Sequence, residues 1–244
     1  MKQFLLLLML LVPSRAFAAI AFGSCVNGAD NSNAQSSSIS APQIAISAGD
    51  FVIAAIRWED GNSVTATITD STQTWNVSRN SYTAGGTGHR MWHAYNATAN
   101  ATDVVTFNFT GLVTYPNFVV CRYTGIQTTS NPLDQNAGGS SSGANCTPTS
   151  SSYTTTAASE VLIAFAQIDM LDSSVSPGSG YTTRATSPRV VAALEDQIVS
   201  SIQTGITTSM TFNMSATCNI DVATFKGAVT GLKKGTLMTL GVGR

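Results

Sequence analysis

Along this chain the apolar positions recur with a period of two, and the pattern runs through twice. In residues 63–70, Val64, Ala66 and Ile68 fall on one side while Thr65, Thr67 and Thr69 fall on the other, the alternation of a half-buried strand. Val105, Phe107 and Phe109 alternate with Val104, Thr106 and Asn108 in the same manner. Residues 51–56 (FVIAAI) and 161–166 (VLIAFA) are instead apolar at every position, which predicts two central strands. Those two runs match each other, Thr106-Phe107-Asn108 matches Thr211-Phe212-Asn213, and Tyr123-Thr124-Gly125 matches Phe225-Lys226-Gly227. The matches keep their order and lie roughly 100 to 110 residues apart. Each pass, 43–125 and 153–227, closes on an aromatic followed two residues later by glycine.

Turn residues separate the runs at Ala48-Gly49-Asp50, Asp60-Gly61-Asn62, residues 84–88 and residues 176–180, where glycine, proline and asparagine supply the dihedrals that tight turns need. Many short strands at this spacing predict an all-β protein, an antiparallel β-sandwich or jelly roll built from two pseudo-repeated halves. The halves span 43–129 and 153–227. A Ser/Gly-rich connection, 130–152, joins them, and its Cys146 pins it to one composite body. A polar arm, 19–42, precedes the body, and a segment, 228–244, follows it as a possible extra strand. The one stretch with any helical spacing is 191–199, against the grain of its β-branched residues.

The first residues change the picture of where this body works. Lys2 precedes an apolar run, 4–12, and Ala16-Phe17-Ala18 offers the small-x-small pattern of a cleavage site, so residues 1–18 read as a signal peptide removed before Ala19. No other stretch reaches the roughly 20 apolar residues of a membrane-spanning helix. A secreted, extracytoplasmic product without membrane insertion is the expectation. Net charge is -1 and only 10% of residues are charged, which leaves no basic surface for nucleic acid or anionic lipid. Cys25, Cys121, Cys146 and Cys218 form an even set without a CxxC spacing, the mark of two disulfides rather than a zinc site. Three connectivities are open. Because Cys121 and Cys218 both lie near the closing strand of a half, Cys121–Cys218 with Cys25–Cys146 is the preferred pairing.

One set of segments carries a resemblance. Residues 49–55 (GDFVIAA), Ile68-Thr69-Asp70-Ser71 leading to Thr74-Trp75, and Arg122-Tyr123-Thr124-Gly125 followed by Asn131-Pro132-Leu133-Asp134 together resemble a module that recurs in secreted and surface proteins of environmental bacteria and some phages. That module is similar in outline to lectin-like jelly rolls. The resemblance spans nearly all of the mature chain and implies a fold, with no shared activity or catalytic residue.

Candidate chemistry is sparse. His89 and His93 are the only histidines; on a strand they share a face roughly 13 Å apart at about 3.3 Å per residue, too far for one metal ion, and they read as polar surface residues. No Gly-x-Ser-x-Gly elbow lies between a strand and a helix, and Glu160 and Glu195 read as solvated carboxylates rather than a glycosidase pair. Glu59 and Asp60 after the first central strand, with Asp169 and Asp172 after the second, are the candidate oxygen ligands of a calcium ion, the one cofactor considered. Trp58, flanked by Arg57, Glu59 and Asp60, is the candidate sugar-binding plate with directional polar neighbours. The expectation is therefore a non-enzymatic binding or adhesion module taking a glycan or another cell-surface ligand. The alternatives are a self-associating structural subunit of a surface layer, appendage or virion, and, third, a polysaccharide-acting enzyme.

Overall fold

The protein, described here from a computed structural model, is placed over residues 16–30, 34–59, 64–82, 86–170 and 173–230. Ten of its strands build two antiparallel sheets. The first holds β1 (Ala21–Ala29), β2 (Phe51–Glu59), β3 (Asn76–Tyr82), β4 (Thr87–Ala94) and β5 (Thr106–Thr124). The second holds β6 (Leu133–Gly143), β7 (Glu160–Ile168), β8 (Thr182–Thr186), β9 (Ala192–Val199) and β10 (Ala216–Lys226). Their orders are β1-β5-β2-β4-β3 and β6-β10-β7-β9-β8, so each strand of the first sheet has a counterpart in the second. Even a register shift recurs, between Val77 and Arg79 on β3 and between Thr183 and Ala185 on β8.

The two sheets pack face to face as a β-sandwich, and each is covered on its outer side as well. Phe51, Ile53, Ala55, Met91, Val119 and Tyr123 of the first sheet meet Val161, Ile163, Phe165, Leu194, Ala223 and Phe225 of the second in one shared core. The alternate residues of the same strands point outward. Val52, Ala54, Ile56, Trp58 and Trp92 pack under Phe107 and Phe109, where Ser36–Ser40 and Ala66–Thr69 pair with the first part of β5. Leu162, Ala164, Ala166 and Val222 pack under Phe212, which lies on the small pair Val175–Ser176 with Thr211–Phe212. This is why β2 and β7 are apolar on both faces: each supplies two cores. Burying a large apolar side chain contributes about 1.5 to 3 kcal/mol, and the ring of Phe51, in contact with Tyr123 and Phe225, ties the halves together.

Several expectations are corrected. Residues 192–199, whose β-branched residues argued against the helical spacing, form β9; among the described residues the only helical piece is the 3-10 turn Pro188–Val190. The polar arm contributes β1, and the Ser/Gly-rich connection contributes β6, both edge strands. The disulfides are Cys25–Cys121 and Cys146–Cys218, not the preferred pairing. Cys121 faces the core between the sheets whereas Cys218 faces the outer core, so the two cannot meet; each bonds beside its own sheet's edge strand. His89 and His93 are buried, as are Glu160 and Glu195, because neither sheet keeps a solvated face over these positions.

Ala16–Phe17, inside the expected signal peptide, pair with Val229–Thr230; residues 1–15 and 231–244 lie outside the described residues. Two disulfides fit an oxidising, extracytoplasmic environment. Among the described residues no helix is long and apolar enough to cross a membrane.

Candidate functional site

The core between the sheets changes character along its length. Read from one end, the inward positions of β2 are Phe51, Ile53 and Ala55, then Arg57 and Glu59; those of β7 are Val161, Ile163 and Phe165, then Gln167, with Asp169 just past the strand's end. Arg57 stands in register between Asn117 of β5 and His89 of β4. Gln167 stands between Asn219 of β10 and Ala192 of β9. Polar side chains thus replace apolar ones at the same level in both sheets; Arg57, His89, Asn117, Gln167 and Asn219 are buried, while Glu59 and Asp169 reach the rim. Four of their atoms, His89 Nε2, Asn117 Oδ1, Gln167 Nε2 and Asn219 Nδ2, find no hydrogen-bond partner among the described residues.

Arg57 organises this end. With its side chain only 1% exposed, its Nε donates to Gln167 Oε1 (3.3 Å), Nη1 to the Tyr115 carbonyl (3.2 Å), and Nη2 to Glu59 Oε1 (2.7 Å) and Asp169 Oδ1 (3.4 Å). A buried guanidinium needs such partners, since stripping it of water without them would be costly. Thr87 Oγ1 adds a hydrogen bond to Asp169 Oδ1 at 3.0 Å. Beside it, Asp221 Oδ2 lies 2.6 Å from His89 Nδ1, and Asp221 Oδ1 accepts from Arg79 Nε at 3.2 Å, a second polar tie between the sheets.

Beyond Arg57 opens a cavity of about 450 Å³, lined by Arg57, Glu59, Tyr115, Asp169, Met170, Arg189 and Val191. Its size falls within the range of small-ligand pockets. Among the described residues, four other than glycine have a positive φ: Asn96, Asn145, Tyr115 and Arg189. Asparagine tolerates that conformation, whereas a bulky residue there is strained. The two bulky ones, Tyr115 at 50° and Arg189 at 62°, both line this cavity. The strain at Tyr115 is held by its carbonyl, which accepts from Arg57 Nη1 and from Asn117 Nδ2 (2.8 Å). It also follows from Pro116, which cannot donate to a ladder: the register of β5 against β2 slips between Thr114 and Asn117. Backbone strain of this kind persists where surrounding contacts over-determine it, and it gathers at ligand sites.

Of the sequence candidates, Arg57, Glu59 and Asp169 are brought together here. Asp60 and Asp172 lie outside the described residues. Glu59 and Asp169 share a guanidinium, and among the described residues no group of three or more His, Cys, Asp or Glu side chains is placed to hold a metal. Trp58 is corrected: it is fully buried in the outer core, tilted against Phe109 with ring centroids 5.6 Å apart, because adjacent strand residues point to opposite faces. The aromatic at the site is Tyr115, half-buried. Tyr115, Arg189 and Gln167 were not read as site residues. The Tyr-Pro step inside a strand run was the available signal for the first; nothing in the sequence marks the other two. Comparison with protein-family models and with curated proteins finds no match for this chain.

Proposed function

We propose that the protein is a secreted, non-enzymatic binding module that takes a neutral polar ligand of the sugar class in the cavity at the Arg57 end of the sandwich. The observation that carries this reading is the convergence of the two strained residues, Tyr115 and Arg189, on one cavity whose floor is the buried Arg57. Two arginines oppose Glu59 and Asp169, so the lining is formally neutral and favours neither an anion nor a cation. It is rich in directional donors and acceptors, and Tyr115, Met170 and Val191 offer apolar surface for the carbon face of a ring. Both carboxylates face a shared cation instead of each other, an arrangement that holds a ligand rather than one that moves protons.

A glycan array followed by calorimetry on the best binder tests the reading. Tyr115→Gly removes the ring while keeping the left-handed backbone accessible, and Glu59→Gln keeps shape while removing charge. Each is expected to weaken binding about tenfold or more, which is about 1.4 kcal/mol. A folded protein that binds no glycan, or binds one equally well in both variants, overturns the reading.

A further inference from the structure

At the far end of the second sheet, three reactive side chains meet on three neighbouring strands. Asp134 lies on β6, Lys226 closes β10, and Glu160 opens β7, with β10 between the other two. Glu160 and Lys226 are register partners, and Leu133, next to Asp134, is the partner of Phe225, next to Lys226. Lys226 Nζ lies 2.9 Å from Asp134 Oδ1, whose side chain is 3% exposed. Thr156 orients the Asp134 carboxylate through its backbone N–H on Oδ2 (2.6 Å) and its hydroxyl on Oδ1 (2.5 Å). Glu160 is fully buried. Its Oε1 accepts from Ala157 N at 2.9 Å, and its Oε2 has no hydrogen-bond partner among the described residues.

We infer that Lys226 and Asp134 become joined by an intramolecular amide bond, with Glu160 carrying the protons. Lys226 Nζ and the Asp134 carboxyl group are already in contact, 2.9 Å from the nitrogen to Oδ1, and holding two reacting groups together in this way converts a bimolecular reaction into an effectively unimolecular one. The protonation states fit. Burial, helped by the neighbouring charge of Asp134, pushes the Glu160 carboxyl up to about 7. For Asp134 burial works upward too, but hydrogen bonds from Thr156 and Lys226 outweigh it and hold the carboxyl below its ordinary range. The site therefore pairs a carboxyl that holds its proton more readily than an ordinary glutamate with one that gives it up more readily than an ordinary aspartate. Glu160 gives its proton to Asp134, and its freed carboxylate takes one from the Lys226 ammonium. The neutral amine attacks Asp134 Cγ and a C–N bond forms; the attacking nitrogen then passes one proton through Glu160 to the departing hydroxyl, and the C–O bond breaks to release water. In sum, carboxylate and ammonium become amide and one water, Glu160 is regenerated, and no oxidant or co-reactant is consumed. General acid–base help of this kind is worth a factor of about 100 to 10,000 in rate. The product ties β6, the edge strand, covalently to β10 at the end of the sheet opposite Cys146–Cys218.

Intact mass spectrometry of the folded chain, after disulfide reduction and denaturation, tests the inference directly. The wild type is expected to be lighter than its sequence by one water, and trypsin is expected to leave Lys226 uncut within a branched peptide containing Asp134. Lys226→Arg and Glu160→Gln should both restore the full sequence mass while melting cooperatively. A folded wild type at full sequence mass with free Lys226 overturns the amide. A Glu160→Gln chain that loses water as the wild type does overturns the assigned role of Glu160.

Discussion

The two central strands each open on a buried acid, and the two acids live in different company. Ahead of β2, Asp50 Oδ2 accepts from Ser47 N at 2.9 Å and from Arg122 Nη1 at 3.0 Å. At the head of β7, Glu160 Oε1 accepts from Ala157 N, also three residues upstream and also at 2.9 Å. The backbone prescribes a carboxylate to close this turn in both sheets. The neighbouring cation then decides the chemistry: in the first sheet a delocalised guanidinium from β5 makes an ordinary ion pair, whereas in the second the counterpart of Arg122 is Thr224, and the cation is a primary amine already matched to a second acid. Equal strand order therefore does not mean equal reactivity.

Substitutions at paired positions can break or sharpen this contrast. The largest effect is expected at Phe51, whose ring touches Tyr123, Phe225 and His93. Phe51→Ala should destabilise by about 3 to 5 kcal/mol, and its smaller counterpart Val161→Ala by clearly less, both read from urea unfolding. Equal losses would mean that the shared core does not lean on the first sheet's aromatics. Next comes Arg122→Met, which strands Asp50 (2% exposed) without its cation. About 3 kcal/mol is expected, the lower end for a broken buried pair because Arg122 is 27% exposed; Thr224→Val should cost about 1 kcal/mol.

The smallest effect is in the pH dependence. Burial lowers His93 from 6.5 to about 4, against a hydrogen bond with Asn131, so its contribution to stability is present above about pH 6.5 and lost as pH falls through 4. Burial, with the Asp196 charge, raises Glu195 from 4.5 to about 7, so its contribution is present below about pH 4.5 and lost as pH rises through 7. The two oppose each other over the same window. His93→Gln should make stability fall more steeply from pH 4.5 to 7, and Glu195→Gln should make it fall less or rise. Urea midpoints across that range check the signs; unchanged slopes in both variants would refute the assignment.

Central strands were legible because double burial leaves an uninterrupted apolar run. The edge strands β1 and β6 were not: they are rich in Gly, Ser and Asn, and too few apolar residues stand on either face to write a period of two. Gly138 could only be placed from the structure, where an added Cβ would press on Arg79 and Asp221. The buried state of His89, His93, Glu160 and Glu195 escaped for a related reason. Polar residues on a strand ordinarily mark its solvated face, but here both faces of each sheet are roofed, and polarity no longer reports direction. At the site, Arg57, Glu59 and Asp169 were legible as loop-end charges, while the ring was assigned one position wrong: Trp58 shares a strand with them but not a face.

The two ends of the described chain lie together. Ala18 N donates to Ala228 O, and Ala228 N to Gly125 O, just past Tyr123, the register partner of Phe51. The cavity lies at the other extremity of β2, next to Glu59, roughly 25 Å away at about 3.3 Å per residue. A tether leaving from residue 16 or 230 would start at one pole, with the opening at the opposite pole pointing away from it.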